Sequence, residues 1–376
     1  MRIAHVVTLV SPDGAFGGPV RVAINLARAT RDAGHDATIL GSFRGYEKAP
    51  AEIDGVPARL FPAHRLLPGL GFSGLISPGL IRYLVRHVAE FDVVHVHLAR
   101  DLITLPAALI ARRKRVPYVT QTHGMVDAST RRLAAILDAL GTRRVLRSAA
   151  ALFHLTVQER DDLEGVARSP NLPLTFLPNG VPRSTLQADV ESGREVLYLA
   201  RLHARKRPLM FVEAAIALRE KFPETRFTLV GADEGEAGVV TARIESAEAS
   251  DVIAWDGSLE PEKTLERMSH ASVYVLPSVN EPFAMTVLEA MSIGLPSIVT
   301  DTCGLIPQLR DPTAVVVVDS SLDGLVNELA RLLSDPVDRI ALGTRARREA
   351  AHHFSIHRVA AMALDAYGRA RSERTG

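Results

Sequence analysis

The feature that most constrains the fold of this 376-residue chain is a regular alternation of short β-branched runs with helical patterns. In the first half, seven apolar runs predict strands: Ile3–Leu9, Ala37–Leu40, Ala58–Phe61, Asp92–Val96, Tyr118–Gln121, Ala151–His154 and Thr175–Leu177. Helices are predicted between them, at Val20–Ala33, Leu80–Glu90, Leu102–Lys114 and Leu133–Ser148. Strands and helices at this spacing require a parallel sheet covered by helices on both faces.

The same alternation begins again in the second half. Six more strands are predicted, at Val196–Ala200, Phe227–Gly231, Val252–Trp255, Val273–Leu276, Ser297–Thr300 and Val315–Val318. The helical stretches lie near 208–221, 237–249, 261–270, 282–293, 322–334, 337–352 and 355–371. We therefore predict an α/β fold of two doubly wound domains, 1–182 and 183–352, joined by a turn-rich linker within 179–195. The last segment, 353–376, carries a helix that can pack back on the first domain.

Charge is distributed unevenly between the two predicted domains. Residues 1–185 contain 23 Lys+Arg and 15 Asp+Glu, a net charge of +8, whereas residues 186–376 contain 21 and 28, a net charge of −7. This division favours a first domain that faces something anionic, with chance as the alternative explanation. The basic residues are too dispersed, and too rarely interleaved with aromatic residues, for a dedicated nucleic-acid-binding protein.

Cysteine content and apolar run lengths indicate the compartment. A lone cysteine, Cys303, excludes an internal disulfide and a cysteine-based metal site, which fits a reducing, cytoplasmic setting. The longest apolar runs, such as Ile3–Val10, are far shorter than the roughly 18–20 residues that a membrane-spanning helix needs. The N-terminal run lacks a signal-peptide cleavage pattern, so we interpret it as the first strand.

Ligands of open parallel sheets bind where the carboxyl ends of the strands meet loops and helix N-termini. Two such domains facing one another would form an interdomain cleft, with functional residues directly after strands. The first candidate is the glycine-rich segment 14–19, in which Gly17 and Gly18 open the first helix. Glycines let backbone N–H groups approach an anion at a helix N-terminus. A tight turn without a ligand is the alternative, since the dinucleotide-binding spacing of glycines is absent.

Two cations follow the first strand of the second domain. Arg201 comes directly after Val196–Ala200, and Lys206 lies five residues later in the same loop. Arginine offers a bidentate fork and lysine a compact charge, a combination that suits a diphosphate. A solvated surface cluster is the alternative interpretation.

Two acidic residues define the most informative segment, 280–290. We expect Asn280 to cap a helix whose first turn holds Pro282, with the helix N-terminus aimed into the cleft. Glu281 would lie at its mouth and Glu289 two turns deeper, about 12 Å along the axis. The carboxylates could then accept hydrogen bonds from hydroxyls on either side of a diphosphate. Alternatively, Glu281 is an electrostatic cap and Glu289 a surface residue.

Histidines follow two strands of the first domain. His123, in the segment Thr122–Met125, can donate a hydrogen bond to a substrate hydroxyl or a transferred group. His97 points to the end of its strand, whereas His95 is more consistent with a core histidine. The histidines lack the spacing of a metal-ligand motif, so we predict no metal site.

The segment 131–147 combines arginines with an aliphatic stripe. Together with the basic run 112–115 it could contact anionic lipid headgroups, each well-placed cation contributing about 1 kcal/mol. A core-packed helix with a basic outer face explains the same pattern.

Taken together, these motifs resemble those of glycosyltransferase family 4, whose members are retaining enzymes of the GT-B fold. The similarity extends over nearly the whole chain and is strongest in 200–206 and in 277–296, which contains an E-x7-E element. The first half contributes Gly17-Gly18-Pro19, His123-Gly124-Met125 and Pro178-Asn179-Gly180-Val181. Three departures are Ala284 where the family commonly has glycine, Thr302-Cys303-Gly304 in place of paired glycines, and Gln308 where glutamate is frequent.

The resemblance implies specific roles for the site residues. Arg201 and Lys206 would bind the diphosphate of a nucleoside diphosphate sugar, Glu281 the hydroxyls of its sugar, and Glu289 its ribose. The backbone of Phe283, Ala284, Met285 and Thr286 would cradle phosphate, and Gly17 and Gly18 would close on it. His123 would lie beside the transferred sugar.

The resemblance further implies a retaining transferase that needs no metal or other cofactor, because protein cations replace a divalent ion. The acceptor would be a saccharide or a lipid-linked saccharide in cell-surface polysaccharide or glycolipid assembly. The expected location is the cytoplasm, with peripheral contact at an anionic membrane. A sugar-nucleotide epimerase or glucan phosphorylase of the same fold, and a non-catalytic two-lobed sugar-binding protein, are the alternatives.

Overall fold

In the computed structural model, which describes residues 1–12, 17–66, 71–129 and 132–375, the chain forms two compact units. The first unit comprises Met1–Gly180 with Ile356–Gly376, and the second comprises Val181–Ser355. The predicted boundaries lay after residues 182 and 352. The C-terminal segment is therefore an integral part of the first unit.

The first unit contains ten strands and seven α-helices within its described residues. Its strands are β1 (Arg2–Val10), β2 (Asp36–Phe43), β3 (Glu52–Ile53), β4 (Val56–Pro62), β5 (His64–Arg65), β6 (Leu75–Ile76), β7 (Val93–His97), β8 (Tyr118–Gln121), β9 (Ala151–His154) and β10 (Leu174–Phe176). Its helices are α1 (Gly17–Asp32), α2 (Pro78–His87), α3 (Thr104–Arg113), α4 (Arg132–Leu137), α5 (Arg143–Ser148), α6 (Val157–Ala167) and, at the C-terminus, α13 (Ile356–Thr375).

Eight of these strands form one sheet in the order β10-β9-β8-β7-β1-β2-β4-β3, parallel except for the β3–β4 pair. Every residue of β7 is buried, as expected for a central parallel strand with helices on both faces. Helix α13 packs on α1 and buries Tyr367 against the sheet. Alanines at 360, 363, 366 and 370 lie in the same cluster and allow the helix to approach closely.

The second unit is a six-stranded parallel sheet with helices on both faces. Its strands are β11 (Glu195–Leu199), β12 (Arg226–Val230), β13 (Ile253–Trp255), β14 (Val273–Leu276), β15 (Ser297–Thr300) and β16 (Val316–Val318). Its helices are α7 (Pro208–Leu218), α8 (Ala237–Ser246), α9 (Thr264–Ser269), α10 (Met285–Ser292), α11 (Leu322–Ser334) and α12 (Pro336–His353).

The strand order of this sheet is β13-β12-β11-β14-β15-β16. From β11 the chain first adds strands on one side of the sheet, and from β14 it adds them on the other side. Such a topological switch point opens a crevice at the carboxyl ends of the two central strands, where doubly wound proteins bind ligands. The loops after β11 and β14 carry the two predicted cations and Glu281, and Glu289 lies in α10, which follows the second loop.

Three local features differ from the sequence prediction. The helix expected over Leu133–Ser148 is divided by a π-helical turn at Asp138–Thr142, which turns Asp138 inward to pair with Arg100. Helix α6 was not predicted. Helix α10 begins at Met285 instead of in the first turn after Asn280, so Asn280 does not cap it.

The predicted linker 179–195 is held to the second unit beyond its first residues. The Arg339 guanidinium, 2% exposed, donates hydrogen bonds to the carbonyl oxygens of Val190 and Glu191. The backbone amides of Ala188 and Asp189 donate to Ile293 and Ser269 carbonyl oxygens. Among the described helices, none has both the length and the apolar character that crossing a membrane requires.

Candidate functional site

The switch point of the second unit brings together a cation and a carboxylate. Lys206 ends a short 3-10 turn after β11, and its Nζ lies 2.5 Å from Oε2 of Glu281, which follows β14. The two side chains are only 15% and 9% exposed. A buried ion pair gains little net stability after desolvation, so its position at the ligand-binding edge favours a functional role over a purely structural one.

The other predicted cation forms a more exposed pair. Nη1 of Arg201 lies 2.5 Å from Oε1 of Glu234, in the loop after β12, and the Arg201 side chain is 51% exposed. Gly231 begins that loop, where a Cβ would come 1.9 Å from the Ala200 carbonyl oxygen. Only glycine therefore allows the ends of β11 and β12 to approach so closely, which brings Glu234 within reach of Arg201.

Two buried tyrosines form hydrogen bonds to the end of β11 and the loop that follows it. The Tyr198 hydroxyl donates to the carbonyl oxygen of Arg201 at 3.1 Å. The Tyr274 hydroxyl lies 2.7 Å from Thr286 Oγ1 and 3.1 Å from the Leu199 carbonyl oxygen, joining the end of β11 to the first turn of α10. Burial raises the pKa of both phenols above its usual value, so both remain neutral hydrogen-bond donors.

The N-terminus of α10 differs from the predicted arrangement. Ala284 occupies the N-cap position and its side chain makes no capping hydrogen bond. Glu281 therefore precedes the helix, and the 12 Å axial separation expected between Glu281 and Glu289 on one helix does not apply. Phe283 and Ala284 are buried. The Met285 amide donates to the Phe283 carbonyl oxygen at 3.1 Å, so only part of this uncapped turn keeps backbone N–H groups for an anion.

The two acidic residues of the E-x7-E element are both buried, at 7% exposure for Glu281 and 5% for Glu289. Glu289 is thus not the surface residue of the alternative interpretation. Glu281 is also fixed through its backbone, since its carbonyl oxygen accepts from the Gly304 amide at 2.8 Å. Burial raises the pKa of the neighbouring Cys303 thiol to about 11, so this cysteine is a neutral packing residue.

Left-handed backbone conformation occurs at one candidate residue and directly beside two others. His123 itself has a φ of 52°, Arg207 after Lys206 has 53°, and Asn280 before Glu281 has 51°. Non-glycine residues adopt this conformation at a cost of order 1–3 kcal/mol, and such positions cluster at functional sites. The surrounding structure maintains all three.

Gly17 and Gly18 are the first two residues of α1, while the rest of the predicted glycine segment, Gly14–Phe16, lies outside the described residues. Among the described residues, no atom lies within 4 Å of a Cβ placed at Gly18, so packing against those residues does not require glycine at this position.

In the first unit, His123 lies in a tight turn that a buried carboxylate holds. Glu159 Oε1 accepts from the Thr122 hydroxyl at 2.5 Å and from the Gly124 amide at 2.7 Å. Its Oε2 accepts from the Leu155 amide at 2.6 Å. Glu159, 4% exposed, therefore fixes the turn on both sides of the candidate histidine.

Behind this turn, buried imidazoles line one face of the sheet. His97 Nδ1 lies 2.9 Å from His123 Nε2, and His97 Nε2 lies 3.3 Å from His5 Nδ1. His95 Nδ1 lies 2.7 Å from the Tyr367 hydroxyl. Burial lowers the pKa of His5 and His123 to about 3 and holds those of His95 and His97 well below 6.5. All four histidines are therefore neutral at pH 7.

By distance alone, His5, His95 and His97 could hold a metal ion, since their ring nitrogens lie within 4.8 Å of one another. The His95 and His97 rings, however, stack with centroids 4.4 Å apart and planes 15° apart. Imidazole lone pairs lie in the ring plane, so stacked rings do not converge on one ion at the roughly 2.0–2.1 Å that a zinc–nitrogen bond needs. The donor geometry does not fit a metal site.

The segment 131–147 presents apolar side chains outward. Ile136 and Leu140, four residues apart, are 53% and 72% exposed. Arg143 and Arg147 donate to the Val166 and Ala167 carbonyl oxygens at the end of α6, so part of the predicted basic surface serves the fold. Arg131 lies outside the described residues.

Four residues that position the site were not predicted. Glu159 had a sequence signal, because Thr156-x-x-Glu159 is the pattern of a capping box, and Thr156 does accept from the Glu159 amide. Glu234 lies in an acidic run directly after a strand. Tyr198 and Tyr274 lie inside strands, where nothing in the pattern distinguishes a tyrosine with a functional hydroxyl from a core residue.

Two protein-family models match the chain. The "Glycosyl transferase 4-like domain" matches residues 17–180, and "Glycosyl transferases group 1" matches residues 187–349. The D-inositol 3-phosphate glycosyltransferase of Arthrobacter sp. (strain FB24) is 28% identical over 338 residues, which cover 84% of this chain and 78% of that protein. The phosphatidyl-myo-inositol mannosyltransferase of Mycolicibacterium smegmatis is 26% identical over 371 residues, 93% of this chain and 90% of that protein.

Among solved structures, the crystal structure of Anabaena Alr3699/HepE in complex with UDP and glucose superposes with a TM-score of 0.77. The match covers 98% of this chain and 99% of that one at 15% sequence identity. At this identity the similarity shows a shared fold.

Proposed function

The chain belongs to the family 4 glycosyltransferases and has their GT-B fold of two Rossmann-like domains, and from this we propose that it transfers a sugar from a nucleoside diphosphate sugar to an acceptor hydroxyl with retention of configuration. The observation that carries the proposal is the nearly buried Lys206–Glu281 pair at the switch point of the second unit. It offers a fixed positive charge and a hydroxyl-binding carboxylate side by side.

The proposed role of the cations is to stabilise the leaving diphosphate. As the glycosidic bond breaks, negative charge grows on the phosphate oxygens. Lys206 and Arg201 would supply positive charge, and the backbone of Phe283 through Thr286, at the uncapped start of α10, would add N–H groups. A contribution of about 3 kcal/mol for one such group is typical.

The carboxylates and the histidine would bind the sugar portions of the substrate. Glu281 would accept hydrogen bonds from hydroxyls of the donor sugar and Glu289 from the ribose. His123 would donate a hydrogen bond to a substrate hydroxyl, and the backbone at Gly17 and Gly18 would contact phosphate. We propose front-face transfer, in which a leaving phosphate oxygen takes the proton of the attacking acceptor hydroxyl.

We further propose that the reaction needs no divalent cation, because Arg201 and Lys206 provide the charge that such an ion would supply. Turnover that persists in excess EDTA would support this proposal. Turnover that is lost in EDTA and restored by Mg²⁺ or Mn²⁺ would contradict it.

Binding of the leaving group can be tested by thermal denaturation with UDP, GDP and ADP. A matched nucleoside diphosphate at 100 times its dissociation constant adds about 2.7 kcal/mol to the stability of the native protein. We expect one nucleotide to stabilise the wild type strongly and the Lys206→Met variant much less. NMR of the anomeric proton of the product then tests retention, and epimerised donor without acceptor would contradict transfer.

We propose a lipid-linked or membrane-proximal acceptor, in cell-surface polysaccharide or glycolipid assembly. The exposed Ile136 and Leu140 form an apolar strip, with Arg144 exposed in the same segment. A relative is named for phosphatidyl-myo-inositol. Apolar insertion together with cationic attraction is the usual combination for binding at an anionic membrane surface.

Flotation with vesicles of anionic lipid tests this contact. We expect the Ile136→Ser, Leu140→Ser double variant to float less than the wild type. The matched control is Val337→Ser, which removes an equally exposed apolar side chain (73% exposed) from the second unit and should float normally. Equal flotation of all three proteins would contradict the proposed contact, and loss of turnover with a soluble acceptor would indicate a different role for the strip.

A further inference from the structure

The buried histidines behind His123 form a chain of hydrogen bonds that ends in the core. His123 Nε2 meets His97 Nδ1 at 2.9 Å, and His97 Nε2 meets His5 Nδ1 at 3.3 Å. The ring centroids are 5.2 and 5.6 Å apart, well beyond the nitrogen–nitrogen distances. The rings therefore meet edge to edge, as in-plane N–H···N bonds require.

Each ring is neutral, because burial keeps the pKa of all three imidazoles far below 7. A neutral imidazole carries one N–H and one acceptor nitrogen. In a chain of neutral rings, the choice of protonated nitrogen on one ring therefore fixes the choice on the next. Only two arrangements satisfy both contacts: all three rings protonated on Nδ1, or all three on Nε2.

The inner end of the chain distinguishes these arrangements. His5 Nε2 is buried and lacks a hydrogen-bond partner among the described residues. With Nε2 protonated throughout, this atom would be an orphaned buried N–H group, which is rare in proteins. With Nδ1 protonated throughout, the N–H groups of His5 and His97 are both paired, and the group without a partner is the acceptor lone pair of His5 Nε2. An unpaired acceptor is tolerated more readily than an unpaired donor.

We infer that His97 and His5 are positioning residues that lock His123 as the Nδ1–H tautomer, so that it presents a hydrogen-bond donor to the substrate. His5 Nδ1–H donates to His97 Nε2, and His97 Nδ1–H donates to His123 Nε2. The Nδ1–H of His123, on the ring nitrogen that does not face His97, can then donate to a sugar hydroxyl oxygen but cannot accept a proton. The part of this inference that concerns substrate rests on the proposed function.

The locked tautomer has a consequence for mechanism. A histidine whose only outward nitrogen bears a proton cannot act as the general base for the acceptor hydroxyl. The acceptor proton must then leave by another route, in agreement with transfer to the leaving phosphate. His123 would contribute by donating to oxygen, as a neutral group, across the physiological pH range.

The direct test uses the wild-type protein labelled with ¹⁵N-histidine. Long-range ¹H–¹⁵N correlation spectra identify the protonated ring nitrogen of each histidine, with His97→Asn and His123→Asn variants for assignment. We expect Nδ1–H at both His97 and His123 at pH 7. A spectrum that shows Nε2–H at His123 would overturn the inference without any measurement of activity.

A pair of variants tests the role of His97. The amide of His97→Asn can replace Nδ1–H as donor to His123, whereas His97→Leu cannot. We expect the asparagine variant to retain the His123 tautomer and most of kcat. The leucine variant should give mixed tautomers and a kcat at least about 10-fold lower, the factor that 1.4 kcal/mol corresponds to, with unchanged affinity for the nucleoside diphosphate.

The outcomes separate this inference from the proposed function. An unchanged Nδ1–H tautomer in a folded His97→Leu protein would overturn the role of His97. If the leucine variant does not fold, the wild-type spectrum still decides the tautomer. If the tautomer is as expected but no nucleoside diphosphate binds and no sugar is transferred, the proposed function fails while the histidine chain stands.

Discussion

The two units place chemically opposite groups at the carboxyl edges of similar parallel sheets. In the second unit, the edge carries permanent charges in pairs, Lys206 with Glu281 and Arg201 with Glu234. In the first unit, the candidate group is a neutral imidazole, His123, supported by two more buried imidazoles. In the proposed function, the charged edge would bind a strongly charged ligand and the neutral edge uncharged hydroxyls.

The charged side chains of the second unit and the neutral histidines of the first are held in place by different interactions. The charged residues of the second unit neutralise one another in pairs, and in the proposed function a ligand would replace one partner of each pair. The neutral histidines gain their specificity from the direction of N–H groups, which depends on buried neighbours. Variants should therefore have different consequences in the two units.

The largest expected effect is at Lys206. We expect Lys206→Met to lower kcat by about 100- to 1000-fold, since it removes the group proposed to stabilise the leaving diphosphate. It should also lower the free energy of unfolding, because Glu281 becomes an unpaired buried charge. Initial rates and urea denaturation measure the two effects.

Two controls separate catalysis from stability. The Lys206→Met, Glu281→Gln double variant should recover stability but not activity. Lys263→Met removes an exposed lysine (61% exposed side chain) from the same unit and should behave as wild type. Normal turnover by Lys206→Met would contradict the proposed role of the charged pair.

The next effect is expected in the first unit, at Glu159. Glu159→Gln replaces one acceptor oxygen with an NH₂ group facing N–H or O–H donors, a loss of about 1–3 kcal/mol. We expect kcat to fall about 10- to 100-fold as the His123 turn loosens. Nucleoside diphosphate affinity, measured by calorimetry, should not change. Asp161→Asn, at an exposed position of the same helix, is the control; weaker nucleotide binding by Glu159→Gln would erase the contrast between the units.

Acid should destabilise the first unit before the second. His5, His95, His97 and His123 have lowered pKa values in the native state, so the unfolded chain binds more protons below pH 6.5. Their stabilising contribution is complete above pH 6.5 and is lost as the pH falls toward 3, at up to about 1.4 kcal/mol per pH unit for each histidine. Burial raises the pKa of Asp101 and of Asp162 in the same unit, and these two carboxyl groups oppose the trend.

The two units can be followed separately during this acid titration. Trp255, the one tryptophan of the chain, lies in β13 of the second unit, so its fluorescence reports that unit. Proton NMR signals of the buried histidines His5, His95 and His97 report the first unit. Coincident transitions between pH 6.5 and 4 would show that the buried histidines do not govern acid stability.

The smallest effect is expected at the exposed ion pair. Glu234→Gln removes the partner that competes for Arg201, and exposed pairs contribute about 0.2–1 kcal/mol. We expect nucleoside diphosphate affinity to rise by up to about fivefold. Glu260→Gln, which breaks an exposed pair with Lys263 in the same unit, is the control. Weaker binding by Glu234→Gln would show that Glu234 orients Arg201 instead of competing for it.

Much of the fold could be predicted because buried parallel strands are recognisable runs. Tyr118–Gln121, Val273–Leu276 and Ser297–Thr300 were predicted with their observed bounds. The start of α10 was not, because Asn280 adopts left-handed backbone and Glu281 continues as extended chain next to Cys303. A capping residue and an early proline favour a helix locally, but the long-range pairing of Glu281 prevails.

The site was predictable only where its residues follow strands. Lys206, Glu281 and His123 could be selected for that reason, but their partners depend on distant parts of the chain. Glu159 reaches the His123 turn from 36 residues away, and His5 reaches His97 across the sheet. Sequence periodicity contains no information on which buried polar side chains meet, so the histidine chain became visible only in the folded structure.

Helix α13 imposes an order on biosynthesis. Tyr367 and the alanines around it complete the core under β1, β7 and β8, yet they are made after the whole second unit. While the ribosome is still translating residues 181–355, the first unit has its sheet but lacks one of its covering helices. The second unit is therefore the first that can finish folding during translation, and the first unit must wait, with part of an apolar sheet face uncovered, until α13 emerges.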